Sequence, residues 1–186
     1  MLRIKLISLI LCMLVLSSCA TKVESIDQES EVALQEKQGY LLLAVDTNRS
    51  LQEIILTGTK RIALSEKDLK SGSNYILVPL PVGQYEISKV TFNNYAYLKD
   101  FEDDIWAFTV EENKINYAGH LKMNSYVVWY YVASRMSLNN NSSIALEFME
   151  DKFSNILLNH PMTYSGPGEE NFFELINSQP AKKDSE

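Results

Sequence analysis

Cysteine is nearly absent from this chain. Its 186 residues carry two, Cys12 and Cys19, both near the start. Nothing beyond residue 19 can form a disulfide, act as a thiol nucleophile or hold a metal through thiolate. Histidine is as scarce, with only His120 and His160. Zinc takes three or four convergent ligands, usually with short local spacing, and no such spacing exists here. Basic charge is also short, at 17 Lys+Arg against 24 Asp+Glu, a net −7. That balance argues against nucleic acid, whose affinity comes from phosphate neutralisation, and against adhesion to anionic headgroups. No Gly-x-Ser-x-Gly elbow places a serine nucleophile. The apolar stretch Ile7–Leu16, broken only by Ser8, reaches about half of the ~20 residues a spanning helix needs.

What is present begins with that stretch. Arg3 and Lys5 precede it, and Leu16-Ser17-Ser18-Cys19 follows. A basic start, a short apolar run and a small-residue cleavage site make a secretory signal peptide. The cysteine directly after the small residues resembles the lipobox of a bacterial lipoprotein. The resemblance implies cleavage before Cys19 and lipid on its sulfur and new amino group. One acyl chain binds a membrane marginally, at about 0.8 kcal/mol per buried methylene, whereas three chains hold permanently. Ala20 after the cysteine resembles the outer-membrane default of enteric-type lipoproteins, so the expected address is the periplasmic face of the outer membrane. Losing Arg3 and Lys5 leaves 15 basic side chains against 24 acidic ones on 168 residues, enough for one domain with a sizeable core.

Residues 19–38 read as the lipidated cysteine and a flexible acidic tether. As a coil it spans roughly 25 Å, and fully extended about 60–65 Å. From Gly39 strands follow: Tyr40–Val45, Leu51–Leu56, Arg61–Leu64, Tyr75–Leu80 and Gln84–Phe92. Pro79 cannot donate a ladder bond and places the end of its strand at an edge or boundary. Tyr85 and Ile87 share one parity and Val90 and Phe92 the other, which predicts a bulge near Ser88-Lys89. Trp106, Phe108 and Val110 alternate up to a turn in which Asn113 takes positive φ. Ile115, Tyr117, Gly119, Leu121 and Met123 alternate with polar neighbours, His120 among them, as a half-buried strand. Tyr126–Ala133 is apolar on both faces and reads as central or covered. After Asn141 the period becomes helical: Ala145, Phe148, Met149, Phe153, Ile156 and Leu157 form a stripe, with Ser142 or Ser143 as N-cap and Pro161 as stop. Residues 171–177 hold one or two more helical turns. Residues 179–186 read as a frayed tail. The predicted fold is mainly β, an antiparallel β-sandwich of about seven to nine strands spanning 39–178, with a C-terminal helix packed on it.

Two stretches carry a further resemblance. One is Leu80-Pro81-Val82-Gly83-Gln84-Tyr85, and the other runs from Phe108-Thr109-Val110 through Lys114-Ile115-Asn116-Tyr117 to Gly119. Together they resemble a family of small bacterial lipoproteins carrying a prealbumin-like or carboxypeptidase-regulatory-like β-sandwich of unknown function. The similarity covers roughly residues 39–123, with Asn113 standing where the family has a turn glycine. It implies fold and address, and brings no catalytic residues.

Candidate sites are few. His120, on the polar strand face, and His160, at the helix end, read as solvated surface. Asp100, Glu102, Asp103 and Asp104 read as a solvated acidic loop lacking the glycine-punctuated pattern of an EF-hand. Tyr85 is expected to lock a corner through its hydroxyl, beside Gly83. The aromatics Tyr126, Trp129, Tyr130 and Tyr131 either fill the core under the helix or stack on a sugar or protein partner. The recognition candidates are Tyr95, Tyr97, Trp106 and Trp129. The functional expectation is a non-enzymatic, lipid-anchored envelope protein. It would hold no cofactor, attach to the membrane through Cys19, and bind or brace an envelope protein or glycan.

Overall fold

The computed structural model describes residues 20–27, 33–101 and 104–178. The signal segment 1–18, Cys19 and the tail 179–186 lie outside the described residues.

Among the described residues eleven strands form two sheets. In one, β1 (Thr21–Val23), β4 (Ile62–Ser65), β3 (Glu53–Gly58), β6 (Gly83–Thr91) and β7 (Tyr97–Lys99) lie in that order, and β8 (Ala107–Val110) also pairs with β6. In the other, β10 (Tyr131–Asn139), β9 (Ile115–Val128), β2 (Gln38–Thr47) and β5 (Gly72–Pro81) lie in order, and β11 (Met162–Tyr164) pairs with β9. Among the described residues three helices, α1 (Ser142–Lys152), α2 (Ser154–Asn159) and α3 (Phe172–Ser178), follow.

The arrangement has three layers. Leu41, Leu43, Val45, Ile76, Val78, Leu121 and Met123 meet Ile54, Leu56, Ile62, Leu64, Tyr85, Ile87 and Phe108 between the sheets. On the other face of the second sheet, Tyr40, Leu42, Leu77, Ile115 and Tyr117 meet Ala145, Met149, Phe153, Ile156 and Phe173 of the helices. β2 therefore has cover on both sides, which is why Tyr40–Val45 is an unbroken apolar run.

Several expectations hold. The ladder between β3 and β6 slips at Ser88, where Leu56 faces Ile87 and Ile55 faces Lys89. Asn113 has φ 57° and Gly83 φ 141°. A Cβ on Gly83 would meet Thr59 Oγ1 at 1.9 Å. The Tyr85 hydroxyl donates to the Pro81 carbonyl at 3.0 Å, closing the β5–β6 corner. β5, carrying Pro79, is an edge strand.

Others are corrected. The sheets are mixed, since β1–β4, β2–β9 and β9–β11 are parallel. The chain leaves β2, lays β5 antiparallel beside it, builds most of the other sheet and returns as β9 at the end where β2 began, so β2 and β9 run the same way. The strand count exceeds nine, and the C-terminal helix is three. Phe153, at φ −139°, breaks the long stripe into α1 and α2. The reading of 19–38 as a free tether fails for residues 20–27. Thr21 N–H donates to the Arg61 carbonyl at 2.8 Å, and β1 extends the sheet beside β4. Ser25 N–H then donates to Asp68 Oδ2 at 2.9 Å. Ser25 Oγ accepts from Leu77 N–H at 3.0 Å, and Ile26 N–H donates to the Leu77 carbonyl at 2.9 Å. This strap crosses from one sheet to the other and buries its own Ile26. Alternation gave no warning, because short polar strands that only cover an edge need no apolar face.

The half-buried alternation read for β9 is also corrected. Leu42 faces Tyr117 and Leu43 faces Gly119, so Ala118 is an inserted residue. The insertion flips parity. Ile115 and Tyr117 point at the helices, while Leu121 and Met123 point at the other sheet. His120 is thereby carried inward rather than to solvent.

Candidate functional site

β9 and β10 extend past the rest of the sheet. β2 ends at Thr47, opposite Met123, yet β9 continues to Val128 and β10 returns from Tyr131. Trp129 and Tyr130 form the two-residue turn between them. The base of this ribbon is braced by Asn48. Its Nδ2 donates to the Ser125 carbonyl at 3.1 Å and its Oδ1 accepts Ser125 N–H at 2.9 Å. Ser125 and Ser134 then join their hydroxyls across the ribbon at 2.7 Å.

One ribbon face, with Met123, Val127, Val132 and Met136, leans on the core between the sheets. The other, with Lys122, Asn124, Tyr126, Val128, Tyr131, Ala133 and Arg135, is exposed. At the tip Trp129 is 82 % and Tyr130 80 % exposed. Trp129 also has φ 56°, a backbone region that glycine occupies freely and a bulky side chain resists. A large apolar side chain held outward at a strained position marks a functional candidate.

The four recognition candidates separate. Trp129 is the tip. Tyr95 is held outward by Asn93, whose Oδ1 accepts Tyr95 N–H at 2.8 Å and Ala96 N–H at 2.9 Å. Tyr97 is half-exposed beneath Lys89, whose Nζ lies 5.1 Å from its ring centroid. Tyr97 opens β7 of the other sheet, and Tyr95 lies in the turn before it. Trp106 is only 7 % exposed, packed 5.2 Å from the Phe101 ring, and leaves the recognition set. The core reading of Tyr126, Tyr130 and Tyr131 is overturned by their exposure, since among the described residues no second layer lies over the ribbon's outer face. A signal was present in the sequence. Met123, Ser125 and Val127 are mirrored by Met136, Ser134 and Val132 about Trp129-Tyr130, as a hairpin requires.

The histidines do not converge. His120 is buried with its ring edge-on to Tyr75 at 5.7 Å, and Tyr75 stacks on Phe148 at 4.1 Å. His120 Nδ1 has no partner among the described residues. Burial, with help from Lys122 and against Asp46, pushes the His120 pKa down, so it is neutral at pH 7. His160 lies at the other end of β2, edge-on to Tyr40 at 5.2 Å, with Nδ1 3.1 Å from the Asn113 carbonyl. His120 faces Ala44, four residues along β2 from Tyr40 and hence about 13 Å away. Of the acidic loop, Asp100 pairs with Lys99 at 3.2 Å. Glu102, Asp103 and the Asp104 side chain lie outside the described residues. Among the described residues no group of three His, Cys, Asp or Glu could hold a metal. A groove of ≈ 490 Å³ lies between Lys22, Glu53, Lys89, Asn94 and Tyr97. Of its two carboxylates, Glu53 and Glu66, that of Glu53 is engaged, since its Oε1 accepts from Lys89 Nζ at 3.3 Å and Thr91 Oγ1 at 3.1 Å.

Asn116 is a residue the sequence reading passed over. It is wholly buried. Its Nδ2 lies 3.1 Å from the carbonyls of Tyr40, Glu111 and Lys114, and its Oδ1 accepts Glu111 N–H at 2.9 Å. It ties the β8–β9 turn to β2.

Fold and ribbon together define a three-layer β/β/α domain that presents an aromatic hairpin. No family model, characterised protein or solved structure matches the chain. No helix among the described residues is long and apolar enough to cross a membrane.

Proposed function

We propose that this protein is a lipid-anchored bacterial envelope protein, of the small prealbumin-like lipoprotein kind, whose work is binding rather than catalysis. Its partner is another envelope component gripped by the β9–β10 ribbon. The observation that carries this reading is Trp129, exposed at a strained turn position between Tyr126, Tyr130 and Tyr131. Tyr, Trp and Arg dominate the anchoring residues of protein interfaces. The address rests on the Leu16–Cys19 lipobox, with Ala20 favouring the periplasmic face of the outer membrane. In the chain Cys19 comes two residues before Thr21. Thr21 sits beside Ile62, at the end of the sandwich where β4, β6 and β9 begin, and the hairpin tip lies at the opposite end. A lipid on Cys19 would therefore hold one end of the domain at the membrane and aim the ribbon away from it. A second reading, a glycan-binding module, is favoured by Tyr126 and Tyr131 sharing one exposed ribbon face.

The test places a photo-crosslinking amino acid at position 130 in cells. We expect one recurrent adduct in the wild-type background, lost in Cys19→Ser, which should also leave the membrane fraction. Unchanged membrane retention of Cys19→Ser would refute the anchor. A position-130 probe that forms no specific adduct would refute the ribbon as the binding surface.

A further inference from the structure

The ribbon carries a second feature besides its rings, an open backbone edge. β10 is the outermost strand of its sheet. In an antiparallel pair, residues alternate between bonding each other and turning their N–H and C=O away. Ser125 gives both groups to Asn48, on the side away from β10. Its opposite number Ser134 must then face outward, and with it Val132, Met136 and Leu138. Among the described residues no backbone group of another element bonds to these four.

Proteins normally blunt such edges with proline, bulges, inward charge or a covering segment. The other edge of this same sheet, β5, is closed by Ser25 and Ile26. β10 pairs with β9 in unbroken register over nine residues, without proline, and carries one charge, Arg135. Charge sets the open edge apart as well. From Asn113 to Leu146 the chain has no Asp or Glu, although it carries 24 overall, and Lys122 and Arg135 both stand on the exposed ribbon face. A two-fold pairing of two β10 strands about their midpoint would set Arg135 against its own copy, and like charges directly opposite are destabilising.

We propose that β10 receives an extended acidic segment of a partner protein, added to the sheet as a sixth strand, with a carboxylate beside Arg135 and the rings of Tyr131 and Trp129 packing on its apolar side chains. Backbone bonds give such an addition its affinity and alternate side chains its specificity. The proposal rests on the ribbon being the binding surface.

The test uses the full mature chain and a synthetic nine-residue peptide of alternating valine and threonine with glutamate at its centre. Exchange of the Val132, Ser134, Met136 and Leu138 amides is followed by NMR. We expect the peptide at millimolar concentration to slow all four. Lysine in place of its glutamate should weaken binding about tenfold, and Arg135→Glu, at an exposed position, should reverse that preference. Unslowed amides would overturn the proposal, as would an Arg135→Glu protein with the original preference. Slowing that needs no peptide and grows with protein concentration would mean self-pairing and overturn it too. So would a soluble oligosaccharide that shifts the Tyr126 and Tyr131 rings while the peptide leaves the four amides free. A position-130 adduct in cells alongside a failed peptide would remove the strand addition alone. An absent adduct would remove the underlying reading.

Discussion

Three side chains carry more of this molecule than their number suggests. Asn116 satisfies backbone groups of Tyr40 in β2 and of Glu111 and Lys114 in the β8–β9 turn. Asn116→Asp replaces a donor with a charge among three carbonyls. We expect it to lower unfolding free energy by about 2–4 kcal/mol, read as a shifted urea midpoint at constant slope; a loss under ~0.5 kcal/mol would contradict the network. Trp129 pulls the other way. Holding a bulky residue at φ 56° costs about 1–2 kcal/mol, while glycine gives back ~0.5–1 kcal/mol in chain entropy. Trp129→Gly should therefore leave stability unchanged or raise it by up to about 1 kcal/mol, and still abolish the position-130 adduct. His120 is neutral when folded, and its pKa lies below the unfolded value of about 6.5. Below that pH the unfolded chain binds a proton the folded one resists, so stability is full above ~6.5 and falls as the pH drops toward the folded pKa. His120→Gln should flatten that slope in denaturation series between pH 7 and 5.

At the scale of elements, the strap 20–27 is the part with no counterpart in a simple sandwich. It ties β4 to β5 through Thr21, Ser25 and Ile26, and shields the β5 edge. Ile26→Ala should cost about 2 kcal/mol or more. Paired with Ser25→Ala, it should also free the Leu77 amide to exchange and raise aggregation on standing. An unchanged melting midpoint and a still protected Leu77 amide would show the strap to be ornamental. Bulges act at this scale too. Ser88 was legible because Tyr85, Ile87, Val90 and Phe92 change parity within one strand. Ala118 was not, because both faces of β9 are covered from Ile115 to Leu121. Its apolar residues kept a regular alternation while the surfaces they meet changed from helices to sheet. The helical stripe was legible from Ala145 to Leu157, but its break at Phe153 was not, since Phe153 is buried in either geometry.

At the scale of the molecule, the ribbon tip stands one strand length from the end that holds Thr21. β9 has 14 residues, so that length is about 45 Å. Spin labels at Lys114→Cys and Tyr130→Cys should report about 45–50 Å; a distance below ~30 Å would mean that the ribbon folds back on the domain. The low count of native cysteines makes this labelling direct. The amino-acid order by itself determined the leader pattern, the strand and turn vocabulary, the Tyr85 corner, the Ser88 bulge and the helical stripe. All of these are local, since turn chemistry and side-chain periodicity act within a few residues. Tertiary structure alone decided which strands are neighbours, that β2 and β9 run parallel, that residues 20–27 are pinned, and that His120 is inside. It also decided the fate of the two runs that read alike. Tyr40–Val45 and Tyr126–Ala133 are both apolar on both faces, yet the first lies between two layers and the second largely in solvent. Burial depends on whether another layer lies over a strand, and that is set by pairings between residues far apart in the chain.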